Sequence, residues 1–321
     1  MMFTRRSLLA TTAGAVAGIA APVLARASAA TQSQGGSAFG SYWRLTLPDG
    51  ADPAPATRAI VEIVARTDRL MSPYRADSEI SRFNRAPAGV LPAARETLAV
   101  VRAAMEAAHD TSGEFDPTLG PLVARWGFGP IRDGVAGRLD QIGVEDRVLV
   151  KSDPEATLDL CGIAKGFALD RMRDALLALD RHDFLLELGG EVAAQGLHPS
   201  GRAWRVGLDG TRLALSLGDE SVATSGALAQ NYSLGRTTYS HIIDPATRTP
   251  ADGGLLSVSV FGPSGTGADA LATALFAMGQ IRGPDFARRR GLDALFLSAG
   301  RDGHAMDTTG AAGHRILGGQ A

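Results

Sequence analysis

The sequence predicts an α+β fold in which mixed or antiparallel sheets pack against helices. Apolar residues recur at helical spacing in some stretches, while others are short apolar runs bounded by glycine or proline. The two kinds do not alternate strictly, which argues against a doubly wound parallel sheet. With 321 residues, 45% of them apolar and 21% charged, the chain can bury a sizeable core. No repeat or long linker divides it, so one domain is expected over residues 38–321.

The chain opens with Arg5-Arg6, an apolar and small-residue run from Leu8 to Leu24, and small-x-small sites at Ala25-Arg26-Ala27 and Ala27-Ser28-Ala29. That order is the pattern of a secretory signal peptide over residues 1–29, and the paired arginines resemble a twin-arginine export signal. A periplasmic protein exported already folded is the expectation. Residues 30–37 read as a short flexible leader.

A strand is expected over Tyr42 to Leu47. Ile60, Val64, Thr67 and Met71 then predict a helix, and Leu98, Val101, Met105 and Ala108 a second one that stops at Gly113. Thr157 to Leu160 reads as a strand running into a helix marked by Leu169, Met172, Leu176 and Leu179. Further strands are expected at Phe184–Leu188, Trp204–Leu208, Leu213–Leu217, Ser257–Phe261 and Ala294–Ser298, with a helix through Leu271, Leu275 and Met278.

The formal net charge of −2 gives no basic footprint for nucleic acid, so a small-molecule or protein substrate is expected. Cys161 is the only cysteine, which excludes an internal disulfide.

Several segments carry candidate chemistry. Asp269 and Thr273 stand at i and i+4 on one helix face, and a carboxylate plus a hydroxyl suits a hard cation such as Mg²⁺. The same pair fits a carboxylate answering the helix dipole and a threonine bonding its own backbone, and the residues alone leave both open. His241, ahead of Ile242-Ile243-Asp244-Pro245, sits at a turn where an imidazole serves as acid or base, or as structure. Gly162 allows close approach to the backbone at a helix start, and Lys165 adds a positive charge. Lys151 and Lys165 are the only lysines beside thirty arginines, so a lysine kept here suggests a role that a guanidinium cannot fill. The spacing is not that of a Walker loop. Thr224-Ser225-Gly226 offers a hydroxyl cradle for phosphate or a turn, and Leu188-Gly189-Gly190-Glu191 a close-approach site or a hairpin turn.

In order, these pieces resemble the ApbE family, the FAD:protein FMN transferases. The matching segments are Met71-Ser72-Pro73-Tyr74-Arg75, Phe115-Asp116-Pro117-Thr118, Trp126-Gly127-Phe128-Gly129-Pro130, Asp159-Leu160 to Lys165-Gly166 and Glu187-Leu188-Gly189-Gly190-Glu191. Ala223-Thr224-Ser225-Gly226, Ser240-His241-Ile242-Ile243-Asp244-Pro245 and Ala268-Asp269-Ala270 complete the series. The resemblance spans roughly residues 38 to 300, and the ordered combination is specific although each motif is weak.

The resemblance implies a Mg²⁺-dependent enzyme that splits the pyrophosphate of FAD, attaches FMN to a threonine or serine of an acceptor protein and releases AMP. It would place Mg²⁺ on Asp269, Thr273 and the Gly162 carbonyl. Phe39, Tyr74, Glu114, Phe115, Asp116, Asp159, Lys165 and Ile243 would line the FAD site, with Thr224, Ser225 and Gly226 near the phosphates. His241 would then assist deprotonation of the acceptor hydroxyl. The implied acceptor is a membrane-bound electron-transfer flavoprotein with a periplasm-facing domain, nitrous-oxide respiration and ion-pumping quinone reductases being two such settings. FAD hydrolysis to FMN and AMP is the alternative reaction at the same site, and a non-catalytic flavin-binding maturation factor the alternative class. Three positions depart from the family pattern: Phe39 where methionine is frequent, Ala227-Leu228-Ala229 ahead of Asn231-Tyr232, and Thr247-Arg248-Thr249-Pro250 without the usual glycine.

Overall fold

The structure is a computed structural model that describes residues 30–208, 211–226, 231–234, 237–251, 254–300 and 303–318. The expected signal segment and Ala227-Leu228-Ala229 lie outside the described residues.

One eight-stranded sheet organises the chain. Its strands are β1 (Thr31–Ala38), β2 (Ser41–Pro48), β3 (Phe184–Leu188), β4 (Glu191–Gln195), β5 (Glu220–Gly226), β6 (Leu255–Gly262), β7 (Asp293–Gly300) and β8 (Gly303–Thr309). They lie side by side in that order, and every neighbouring pair is antiparallel. The expected α+β architecture with antiparallel sheets is therefore present.

The helices are α1 (Ala54–Met71), α2 (Glu79–Arg85), α3 (Arg95–Asp110), α4 (Gly120–Arg125), α5 (Ala164–Ala178) and α6 (Gly265–Arg290). Ile60, Leu169, Met172 and Leu176 meet Leu45, Phe184, Leu186 and Ala193, so α1 and α5 cover one half of the sheet. Leu275, Phe276 and Met278 meet Val258, Val260 and Phe296, so α6 covers the other half on the same face. The opposite face packs Val222, Phe261 and Leu295 against Trp204, Leu215 and Leu217 of a small sheet made by Trp204–Gly207, Ala214–Leu217 and Ile316–Leu317. A further core joins α3 to a three-stranded sheet of Gly89–Pro92, Ile142–Glu145 and Val148–Lys151.

Two expectations fail. Residues 30–37, read as a leader, belong to β1, paired from Thr31↔Pro48 to Ala38↔Ser41. Their polar side chains gave no apolar period, because β1 is an edge strand with almost every residue exposed. Thr157–Leu160 is not a strand. The segment is buried, but the Asn84 amide takes the place of a ladder by donating to Leu158 O (2.9 Å) and accepting from Leu158 N (2.8 Å).

Lys151 is 1% exposed, and its ammonium donates to the carbonyls of Phe83, Asn84 and Ala86 at 3.0 to 3.1 Å. These acceptors close the C-terminal end of α2, where carbonyls lack intrahelical partners. Lys151→Met is expected to lower unfolding free energy by about 2 to 3 kcal/mol by stranding buried acceptors. Urea denaturation checks it, and an unchanged midpoint would contradict the assignment.

Candidate functional site: a buried carboxylate–ammonium cluster between two helices

The site forms where α5 and α6 cross at glycines. A Cβ on Gly166 would stand 2.1 Å from the carbonyl oxygen of Gly265 and 2.8 Å from Asp269 Cβ, so only glycine permits this approach. At the crossing each helix caps the other. Asp269 of α6 accepts the backbone N–H of Gly166 (2.9 Å) in the first turn of α5. Asp170 of α5 accepts the N–H groups of Gly265 (2.7 Å) and Thr266 (2.9 Å) and the Ser264 hydroxyl (2.7 Å) at the start of α6. Carboxylates at helix N-termini satisfy otherwise unpaired donors and complement the dipole.

Around Asp269, which is 3% exposed, three more elements converge. Lys165, in the first turn of α5, donates to Glu191 at the start of β4 (2.5 Å). Thr273, one turn beyond Asp269, has its hydroxyl 3.3 Å from that of Ser225 on β5. The backbone of Gly162 abuts the same hydroxyl, since a Cβ there would lie 3.1 Å from Thr273 Oγ1 and 3.2 Å from the Phe115 ring. The Thr273 and Ser225 hydroxyls and the Gly162 backbone thus meet at one spot, one helical turn from Asp269.

The electrostatics are unbalanced. Glu191 is 1% exposed, and among the described residues its buried Oε2 has no hydrogen-bond partner. Burial pulls the Lys165 ammonium down, but Glu191 and Asp269 more than reverse this and hold it charged. Burial pushes both carboxyls up, Glu191 to about 8, with Lys165 opposing the shift in each and Asp269 adding to it in Glu191. With both carboxyls ionised, one ammonium would leave the cluster one positive charge short, so Glu191 keeps a proton below about pH 8 unless a cation takes its place. A hard cation would match both this deficit and an oxygen donor set drawn from Asp269, Thr273 and the backbone at Gly162. Among the described residues no group of three His, Cys, Asp or Glu side chains gathers, and this set contains only one such side chain.

The other expected residues stand on several surrounding loops. Asp159 accepts from Cys161 N (3.0 Å) and donates its N–H to Pro117 O (2.7 Å), which joins the Phe115 loop to the Gly162 loop. Tyr74 is 62% exposed, and its hydroxyl reaches Phe128 O at 3.3 Å. The carboxylate of Asp116 is occupied by the N–H (2.8 Å) and hydroxyl (2.6 Å) of Thr118, so it shapes its own loop. Glu114 pairs with Arg282. Phe39 lies at the β1–β2 turn with φ 50°, lining a cleft of about 540 Å³ with Trp43, Val64 and Asp68. His241 meets the Phe128 ring edge-on at 6.3 Å between centroids, and Ile243 is buried with Leu119 and Leu122.

Strand alternation separates two residues that the sequence grouped. Ser225 faces α6, whereas Thr224 projects to the opposite side, where its hydroxyl bonds Ser259 at 2.8 Å. Thr224 is therefore not brought to the cluster, and Gly226 closes the strand beside Leu256 O. Glu191 is the residue whose role the sequence did not assign. Its available signal was a carboxylate opening the apolar run Glu191-Val192-Ala193-Ala194.

The ApbE family model matches residues 39–296, most of the fold just described. The chain belongs to the ApbE family. Similar proteins in this family include an "FAD:protein FMN transferase" of Vibrio cholerae, 33% identical over 281 residues, covering 81% of this chain and 84% of that protein. One of Salmonella typhimurium is 29% identical over 305 residues, covering 86% and 87%. Among solved structures, the flavin transferase ApbE from Vibrio cholerae superposes with TM-score 0.78 at 30% identity, covering 87% of this chain and 97% of that one. The apo flavinyl transferase ApbE of Pseudomonas stutzeri superposes with TM-score 0.81 at 29% identity, covering 91% and 98%. The chain is thus an ApbE-family enzyme, and its α5–α6 cluster belongs to the matched region.

Gly166→Ala is expected to cost about 1 to 3 kcal/mol of stability through overpacking, because the helices must part. It should also weaken FAD binding, measured by flavin fluorescence. Wild-type stability and affinity together would remove the crossing from the account.

Proposed function

We propose that this ApbE-family enzyme transfers FMN from FAD to a threonine or serine hydroxyl of an acceptor flavoprotein and releases AMP, with Mg²⁺ bound. The observation that carries this reading is the buried cluster of Asp269, Glu191 and Lys165 beside the Thr273 and Ser225 hydroxyls and the Gly162 backbone. The names of the relatives support the same reaction class.

The acceptor oxygen attacks the phosphorus on the FMN side of the pyrophosphate, a new P–O bond forms, and the bond to the AMP phosphate breaks. Such a displacement needs charge neutralisation and in-line placement more than covalent help from the protein. Asp269, Thr273 and the Gly162 carbonyl would hold Mg²⁺, which would supply charge neutralisation at the pyrophosphate. Lys165, kept charged by Glu191, adds a fixed positive group, and the Ser225 hydroxyl orients toward the same space. His241 takes the proton of the acceptor hydroxyl, directly or through a water. Tyr74 and the Phe39 cleft offer aromatic and apolar surface to the flavin, while Phe115, 3% exposed, backs the loop from the core.

The N-terminal pattern supports twin-arginine export and action in the periplasm, on an acceptor domain of a membrane-bound electron-transfer protein. The test incubates the mature enzyme with FAD, Mg²⁺ and a threonine-containing acceptor domain, following AMP and acceptor mass together. An FMN-sized mass gain matched by AMP, and lost in Asp269→Ala, is the expected result. AMP with free FMN and an unmodified acceptor would replace transfer by hydrolysis, and bound but intact FAD would leave a flavin-binding factor. His241→Ala should slow transfer by about 100-fold or more with FAD binding retained.

Proton linkage gives a second check. Because burial raises Asp269 and Glu191, cation binding displaces protons from the cluster. Apparent Mg²⁺ affinity should therefore rise with pH up to about 8, the value for Glu191, and titration calorimetry at several pH values measures it. A pH-independent affinity across that window would contradict the charge balance.

A further inference from the structure

We propose that Arg282 is a positioning residue that ties the flavin-side loop to the turn carrying His241. The inference rests on the transfer reaction proposed above and assigns it a group outside the metal and phosphate cluster.

The guanidinium of Arg282 reaches two carboxylates on different loops. One nitrogen pairs with Glu114, directly before Phe115, and the other with Asp244 at 3.3 Å, three residues beyond His241. Both acceptors are poorly exposed, at 17% and 15%, whereas Arg282 is 48% exposed. Without the arginine, two carboxylates would share one gap with no cation between them. Among the described residues the second oxygen of Glu114 is buried without a hydrogen-bond partner, and Arg282 is the group its carboxylate pairs with.

The reach depends on a break in α6. Gly279 has φ 77° and ψ −177°, outside helical geometry, so the segment carrying Arg282 is redirected from the one carrying Asp269 and Thr273. An L-residue adopts that φ only under strain. One element therefore supplies Asp269 before its break and the tie to both loops after it.

Asp244 is suited to pass position on to His241. Its Oδ1 accepts the N–H of Ala246 (2.8 Å), and its carbonyl accepts that of Arg248 (2.8 Å), so the turn is folded around it. Its Oδ2 takes Arg282. The Trp126 indole N–H holds the far end of the same turn through Arg248 O (3.1 Å). Arg282 fixes the near end, and the turn's distance from the Phe115 loop is set by one guanidinium bridging two acids.

The experiment compares wild type, Arg282→Gln and Arg282→Lys by amide hydrogen exchange, FAD affinity and transfer at saturating FAD. In Arg282→Gln, exchange should rise in both segments, 111–119 and 240–248, and turnover should fall about tenfold or more while FAD affinity changes less than about threefold. Arg282→Lys keeps the charge without the fork, so its turnover should lie between the other two. Unchanged exchange in either segment would overturn the proposal. So would wild-type turnover in Arg282→Gln, a loss of turnover matched by loss of FAD affinity, or a lysine variant no better than the glutamine one. If the wild type itself transfers no FMN, the transfer reading fails separately, and the exchange of the two segments still decides whether the tie exists.

Discussion

The crossing of α5 and α6 at Gly166 and Gly265 is the constraint on which the rest of the site depends. Backbone approach this close brings each helix start within reach of a carboxylate on the other, Asp269 for α5 and Asp170 for α6. The two caps are coupled, because sliding one helix to relieve either would break both. Asp269 is thus held at a helix N-terminus with one oxygen committed to Gly166, and Thr273 follows one turn later on the same face. The cap gives Asp269 a stabilising partner, which explains a carboxylate at 3% exposure on a helix whose neighbouring residues Ala268, Ala270 and Ala272 are buried in the core.

The two lysines show why this chain keeps lysine at all. Lys151 directs one ammonium at three carbonyls, a convergent geometry that a planar guanidinium cannot fill. Lys165 lies between two carboxyls in a space bounded by the Gly189 turn, whose Cβ position is 3.7 Å from Lys165 Cδ. Both are compact point charges in tight quarters, and thirty arginines serve elsewhere. The lysine bias in the sequence was therefore a signal about geometry, and it flagged one structural position and one in the cluster.

Much of the fold was legible because its helices and inner strands follow the burial period. Ile60, Thr67 and Met71 of α1, and Leu169, Met172 and Leu176 of α5, are buried as their spacing requires. The edge strand β1 was not legible, since its Gln, Ser and Gly side chains face outward and its identity rests on pairing with β2. The Thr157–Leu160 segment misled because burial without a ladder gives the same apolar signature as a buried strand, and Asn84 lies 74 residues away from its partner Leu158. In the site, Asp269, Thr273, Gly162 and Lys165 were readable from local spacing and resemblance. Glu191 and Arg282 were not, because each acts through partners on other elements. Thr224 and Ser225 look alike in sequence, and only the strand's pleat separates them.

The two sides of the site are built differently. Asp269, Lys165, Glu191 and Ser225 stand on helices and inner strands, where packing fixes their positions. His241 stands on a turn supported by rings: Trp126 stacks on Tyr239, Tyr239 on Tyr232, and Tyr232 on Phe128, which touches His241. Aromatic contacts hold such a turn by area and ring geometry, and they tolerate a change of angle better than a helix crossing does. In the transfer proposed above, pyrophosphate cleavage would demand fixed charges, whereas a protein acceptor would have to enter and leave beside His241. A rigid phosphate side facing an aromatic-braced turn meets both demands. The tie through Arg282 is then an ionic contact by which α6, which already carries Asp269, also reaches the turn of the histidine.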